Sequence, residues 1–195
     1  MRQKALLAVV ALVAVLLVGA PTALATNLVT NGSFETGDFT GWSQSGLEGV
    51  VSGPFYVYSG AEDGTFYSIW GNVGSDGQIS QSFSDTAGQH YTFSFWFAAV
   101  GDNPSDFSAS WDGTQVYSQS NPNTGGAWTL FSFDEVGTGS DTITFIGRDD
   151  PTVMALDNVS VSPGASTTPE PSSLLLLGSG LLTVGGLIRR KLTNR

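Results

Sequence analysis

Tyr91, Phe93, Phe95 and Phe97 alternate with Thr92, Ser94 and Trp96 in one unbroken run. Successive side chains of a strand point to opposite faces, so the four aromatics share one face and demand a core. Trp96 is predicted to point the other way. The run from Phe107 to Trp111 alternates in the same manner and ends at Asp112-Gly113. That dipeptide is a two-residue hairpin signal, with residues 114–118 as the return strand. Further short runs cover 65–71, 78–83, 128–133, 141–147 and 155–162, separated by Gly, Asp, Asn, Ser and Pro. Residues 121–126 read as a loop by composition. No stretch between the two ends of the chain sustains a helical period, and no long-period repeat is present. The expectation is an all-β fold, an antiparallel β-sandwich.

The two ends are of a different kind. Arg2 and Lys4 precede an apolar stretch at 5–20, and Ala23 and Ala25 form a small-x-small cleavage site. This pattern predicts a secretory signal peptide over residues 1–25, with a retained anchor helix as the alternative. At the other end, Pro169, Glu170 and Pro171 precede an uncharged run at 172–188, and Arg189, Arg190 and Lys191 follow it. Two prolines around a glutamate keep that triplet extended and accessible. The run just reaches the length of about 17–20 apolar residues that a transmembrane helix requires. The basic cluster behind it acts as a stop-transfer signal held on the cytoplasmic side. In between, residues 26–162 form the body and 163–168 a short linker, with 169–195 as the tail.

This order of Pro-Glu-Pro, span and basic cluster resembles the PEP-CTERM sorting tail of Gram-negative bacteria. The resemblance implies recognition of Pro169, Glu170 and Pro171 by a membrane exosortase. It also implies anchoring in the inner membrane until processing. A plain C-terminal anchor behind a proline-containing linker is the alternative reading.

Charge is distributed unevenly. The chain carries a formal charge of -10, yet of its Lys and Arg residues only Arg148 lies in the body. Every acidic residue except Glu170 lies there too. Such a surface repels nucleic acid and anionic lipid, and acidic polysaccharide unless a divalent cation bridges them. With no cysteine, the exported body depends on its core, or on a core plus a metal. His90 is the sole histidine, which leaves little material for zinc sites or Ser-His-Asp triads.

The segment 27–42, the run 78–83, the turn at 87–91 and the final strand 155–161 together resemble the galactose-binding-like jelly roll. The style is that of carbohydrate-binding modules of families 4 and 9, and the resemblance spans nearly the whole body. In those modules a Glu of the first motif and an Asp of the last strand help bind a structural calcium ion. Here those positions are Glu35 and Asp157, with Ser33 as a further ligand through its backbone carbonyl. Independently, alternation puts Asp157 on one face with Val159 and Val161, so it is expected at the core rim pointing inward. A buried carboxylate needs a hydrogen-bonding partner or a metal, and calcium prefers oxygen ligands. The alternative has Asp157 capping a turn and Glu35 solvated. Asp149-Asp150 and Glu62-Asp63 read as solvated loop charges.

Sugar recognition without charge uses aromatic faces. Trp96, Trp70 and Trp128 are each out of phase with neighbouring apolar residues and are the candidate sugar-binding side chains. Local packing is the alternative for each. Trp111 reads as core, and Trp42 as packing within the first motif. The resulting expectation is an exported, non-catalytic protein of the cell envelope or extracellular matrix that binds exopolysaccharide. A structural matrix protein without a ligand site is the second reading. A glycoside hydrolase with two carboxylates facing across a cleft is the third. Clustering of Trp70 and Trp96 in an open groove would favour the first.

Overall fold

A computed structural model describes residues 26–164. The expected signal peptide, transmembrane helix and sorting tail lie outside the described residues. Among the described residues no helix is long and apolar enough to cross a membrane. The described residues form ten strands, β1 Ser43–Ser45, β2 Glu48–Ser52, β3 Phe66–Trp70, β4 Gly77–Ser84 and β5 His90–Ala98, then β6 Ser105–Trp111, β7 Thr114–Ser120, β8 Thr129–Val136, β9 Ser140–Asp149 and β10 Met154–Pro163. They form two five-stranded sheets. The first has the order β1-β4-β9-β6-β7 and the second β2-β3-β10-β5-β8. All strand pairs are antiparallel, so the body is the predicted all-β sandwich. Strands β1 and β2 were not foreseen. Both are short, β1 is fully exposed, and neither carries an alternating apolar row.

The core forms where the sequence placed it. Tyr91, Phe93, Phe95 and Phe97 are buried, and Trp111 joins them. Phe97 stacks on Phe107 at 4.2 Å, while Phe95 meets Phe145 edge-on at 5.1 Å. Aromatic pairs of this geometry add roughly 0.5–1.5 kcal/mol each beyond the burial of area. The hairpin at Asp112-Gly113 has positive φ at both residues, as a two-residue turn of this type requires. On β9 the inward row is Asp141, Ile143, Phe145, Gly147 and Asp149, all buried. The strand's core face therefore begins and ends with a carboxylate.

The N-terminal segment is stitched to the last strand. Asn27 accepts from the Val161 N–H and donates to the Val159 carbonyl, and the Val159 N–H donates to the Gly32 carbonyl. Gly32 has no room for a side chain, since a Cβ would fall 2.0 Å from that Val159 carbonyl oxygen. Trp42 packs on Phe34 and donates its indole N–H to the Asn31 carbonyl, as expected of a residue closing its own motif.

Two side chains face opposite to their sequence-based assignment. In β3 the core receives Phe66 and Trp70, while Tyr67 and Ile69 lie on the outer face. That face is not open. The connection 53–64 folds back across it and encloses a second apolar cluster of Tyr58, Tyr67, Ala98 and Ala155. With apolar surface buried on both faces of the strand, alternation alone assigns no parity. In β10 a bulge falls between Asp157 and Ser160, with Asn158 at φ 47°. The extra residue flips the alternation. Val159 and Val161 face the core, whereas Asp157 sits with Ala155 on the outer face, beneath the folded-back loop.

Candidate functional site

Around that loop the structure brings together Glu35, Asp157 and Trp128, with Trp96 opposite Asp157 on the neighbouring strand. Asp157 is fully buried, and its Oδ2 accepts from the backbone N–H groups of Glu62 and Asp63 at 2.8 and 3.0 Å. Its Oδ1 accepts from the Asn158 N–H at 2.7 Å. Glu35 works on the other half of the same segment. Its Oε1 accepts from the N–H groups of Thr65 and Phe66, both at 2.8 Å. Between them stands Gly64 at φ +68°, where a Cβ would come within 2.4 Å of the Glu35 carboxylate. The loop thus closes onto two carboxylates.

Burial pushes the Asp157 carboxyl up to about 7. The three backbone N–H groups oppose the shift, and the charge of Glu62 adds to it. Glu62 is no solvated loop charge: it accepts from the Asn158 side-chain amide at 3.0 Å. Among the described residues no three His, Cys, Asp or Glu side chains are grouped to hold a metal ion. The donors available for a cation here are carboxylate and carbonyl oxygens, the class that suits calcium. Glu35 and Asp157 converge on one segment. Ser33 lies in the same N-terminal motif but makes no side-chain hydrogen bond.

The three candidate tryptophans have three different surroundings. Trp70 is inside the core, meeting Phe107 edge-on at 5.7 Å, and is unavailable to any ligand. Trp128 lies on the outer face as its phase implied, yet it is an anchor for the loop. It meets Tyr67 at 5.8 Å and donates its indole N–H to the Gly60 carbonyl at 3.1 Å. Trp96 is partly open, as Trp128 is, but it does not fasten the loop through its indole. Its direct cross-strand neighbours are Asp157 on β10 and Leu130 on β8. Leu130 is 50% exposed, so the two side chains make a small apolar step at the margin of the folded-back loop. Trp70 and Trp96 do not cluster in a groove.

Elsewhere the surface differs in kind. The outer face of the first sheet carries Ser80, Ser82, Ser108, Ser110, Thr142 and Thr144, a hydroxyl-rich plane without aromatics. His90 is exposed and pairs with Asp134 at 3.0 Å. Asp149, read from sequence as a loop charge, is 1% exposed. The signal for it lay in the every-second-residue row that starts at Asp141.

Residues 167–191 match the PEP-CTERM protein-sorting motif. The motif implies export, exosortase processing and association with the cell surface or envelope. No curated protein matches the chain. Among solved structures the chain is similar to "TmCBM61 in complex with beta-1,4-galactotriose", with a TM-score of 0.58 and 20% identity over 71% of this chain and 99% of that one. It is also similar to the K1 cleaved adhesin domain of Lys-gingipain from Porphyromonas gingivalis W83, with a TM-score of 0.53 and 13% identity over 73% and 98% of the two chains. A third similarity is to the enzymatically active domain of bacteriophage CBA120 tailspike protein 4, with a TM-score of 0.52 and 18% identity. That match covers 71% of this chain but only 21% of the tailspike chain. The likeness is one of fold, and the fold is the jelly roll that the sequence motifs resembled.

Proposed function

We propose that this chain is an exported, non-catalytic carbohydrate-binding protein of the cell envelope or extracellular matrix. An exosortase delivers it through Pro169, Glu170 and Pro171. Until processing, the apolar run at 172–188 holds it in the inner membrane, with Arg189, Arg190 and Lys191 on the cytoplasmic side. The observation that carries the ligand assignment is the step formed by Trp96 and Leu130 beside the clamped loop. A partly exposed indole offers an apolar face for the C–H side of a pyranose ring, and Ser94 and Ser132 on the same face offer hydroxyl partners. The acidic body favours an uncharged exopolysaccharide over a polyanion. The ligand named for TmCBM61, beta-1,4-galactotriose, belongs to that uncharged class.

Calcium fits this reading as a structural ion at the loop clamp. Glu35 and Asp157 would hold it, with backbone carbonyls such as that of Ser33 completing an all-oxygen shell. Its contribution would be to neutralise two carboxylates that converge on one segment and to fix the loop edge beside Trp96. The hydroxyl-rich outer face of the first sheet favours a second reading, a matrix protein that associates through extended polar surfaces without a discrete ligand. One experiment separates the two. Purified wild-type protein and Trp96→Ala are applied to a glycan array and to a polysaccharide pull-down. Retention of wild type alone supports the sugar platform, and stacking predicts that it persists at high salt. Equal retention of both proteins removes Trp96 from the site, and retention of neither favours the matrix reading.

A further inference from the structure

At one end of the sandwich the last residue of β9 turns inward. Arg148 points to the outer face of the first sheet, where it bonds Asp106 at 3.0 Å and lies 3.8 Å from Asp76. Asp149, one residue on, points toward the core and is 1% exposed. Its Oδ1 is buried without any hydrogen-bond partner. Its Oδ2 lies 3.2 Å from the hydroxyl of Thr152, and that same hydroxyl contacts the Asp102 carboxylate. The two loops that supply these groups are fastened to each other. The Asp150 N–H donates to the Pro104 carbonyl, and within the 102–105 connection Ser105 donates its hydroxyl to the Asp102 carbonyl at 2.6 Å.

The proton count in this cluster does not close. A threonine hydroxyl has one proton to donate, yet two carboxylates address it. A third oxygen, Asp149 Oδ1, has no donor at all. Arg148 is the only Lys or Arg among the described residues, and it is engaged on the opposite face. A buried carboxylate without a partner costs several kcal/mol unless a proton or a cation accompanies it. Burial first, and then the charge of Asp102, raise the Asp149 carboxyl to about 6. That value still leaves it ionised at neutral pH.

We propose that Asp149, Asp102 and Thr152 form a second divalent-cation site, of the hard, oxygen-seeking calcium class, at the loop end of the sandwich. Two carboxylates and a hydroxyl supply the protein donors, and Asp149 Oδ1 is the atom the ion satisfies. This site shares no residue with Glu35, Asp157 or Trp96, so it stands or falls independently of the proposed sugar and loop-clamp functions. Its ion would pin the 102–105 connection to the 149–152 turn.

The test is a count of bound ions. Full-length chain in detergent, stripped with chelator, is titrated with Ca2+ by calorimetry and with Tb3+ by luminescence excited through the aromatic side chains. Tyr58, whose phenol feels the charges of Asp149 and Asp102, is a suitable donor. The expected result is that Asp149→Asn binds one equivalent fewer than wild type. Asp102→Asn loses that same equivalent, and Asp157→Asn keeps it. Asp102 is partly exposed, so its variant decides the matter if Asp149→Asn fails to fold. Equal stoichiometry in wild type and Asp102→Asn overturns the site, as does a wild type that binds no ion. Stabilisation of Asp149→Asn by the same amount in chelator and in calcium, without loss of an equivalent, also overturns it and assigns a proton in the ion's place.

Discussion

Asp157 and Glu35 grip the two halves of one short loop segment, Asp157 through the N–H groups of Glu62 and Asp63, Glu35 through those of Thr65 and Phe66. The two grips differ in depth, since Asp157 is fully buried and Glu35 is exposed. Asp157→Ala strands three backbone donors under the loop and is expected to cost about 3 kcal/mol in urea denaturation. Asp157→Asn keeps an oxygen acceptor and should cost about 1 kcal/mol. Glu35→Ala exposes its donors to water and should cost less than Asp157→Ala.

The elevated Asp157 carboxyl gives a pH dependence of definite sign. In the unfolded chain it ionises near ~3.9. In the native, metal-free protein it holds its proton up to about 7 because burial disfavours the charge. Between those values the native state binds the extra proton, so stability is present at the acid end and is lost as pH rises through about 7. Thermal melts in chelator from pH 5 to 8 should therefore show a falling melting temperature. Saturating calcium should flatten that slope and raise the melting temperature at pH 8, because the ion binds only the native state. Identical melts with and without calcium would refute the loop-clamp ion.

Trp70 and Trp96, matched from sequence as a pair, are expected to part company on mutation. Trp70→Ala opens a cavity in the core and should cost ~3–5 kcal/mol with no specific effect on glycan retention. Trp96→Ala removes a partly exposed side chain and should cost only about 1–2 kcal/mol while abolishing retention. Chemical denaturation and the pull-down, run on both variants, provide the comparison.

Trp128 should behave as a fastener. Trp128→Phe loses the indole bond to the Gly60 carbonyl but keeps most of its apolar area. The expected outcome is faster limited proteolysis within residues 53–64, with the rest of the sandwich protected.

For the tail, intact-mass analysis of protein matured in a host with an exosortase should show loss of the apolar run and of Arg189, Arg190 and Lys191. Glu170→Ala should leave the chain uncut. A full-length mass for the wild type in such a host would leave a plain membrane anchor.

What could be read from the sequence depended on whether one rule governed a segment. The row from Tyr91 to Phe97 obeyed period two with polar residues between, and its core face and that of Trp111 were legible. In β3 the same rule failed because a loop covers the second face, so Tyr67 and Trp70 both look like core. Asp157 was misplaced by a single extra residue at Asn158, which leaves no mark in the hydrophobic pattern. Glu35 and Asp157 were brought together by family resemblance and not by spacing. Asp149 was legible in principle, as the last member of the Asp141 row, but the neighbouring Asp150 made the pair look like an ordinary acidic turn.

The carboxylates at the two ends of the β9 core face also answer a problem that sandwiches face during assembly. Sliding a strand by two residues keeps every side chain on its proper face, so hydrophobic alternation does not forbid it. In β9 such a slide would carry Asp141 or Asp149 into the layer occupied by Phe93, Phe95 and Phe107. There neither carboxylate would keep the donors that Thr138 and Thr152 give it in place, and a buried carboxylate stripped of donors is far more costly than a lost pair of backbone bonds. The two aspartates act as end-stops, and they permit one alignment of the central strand of the first sheet.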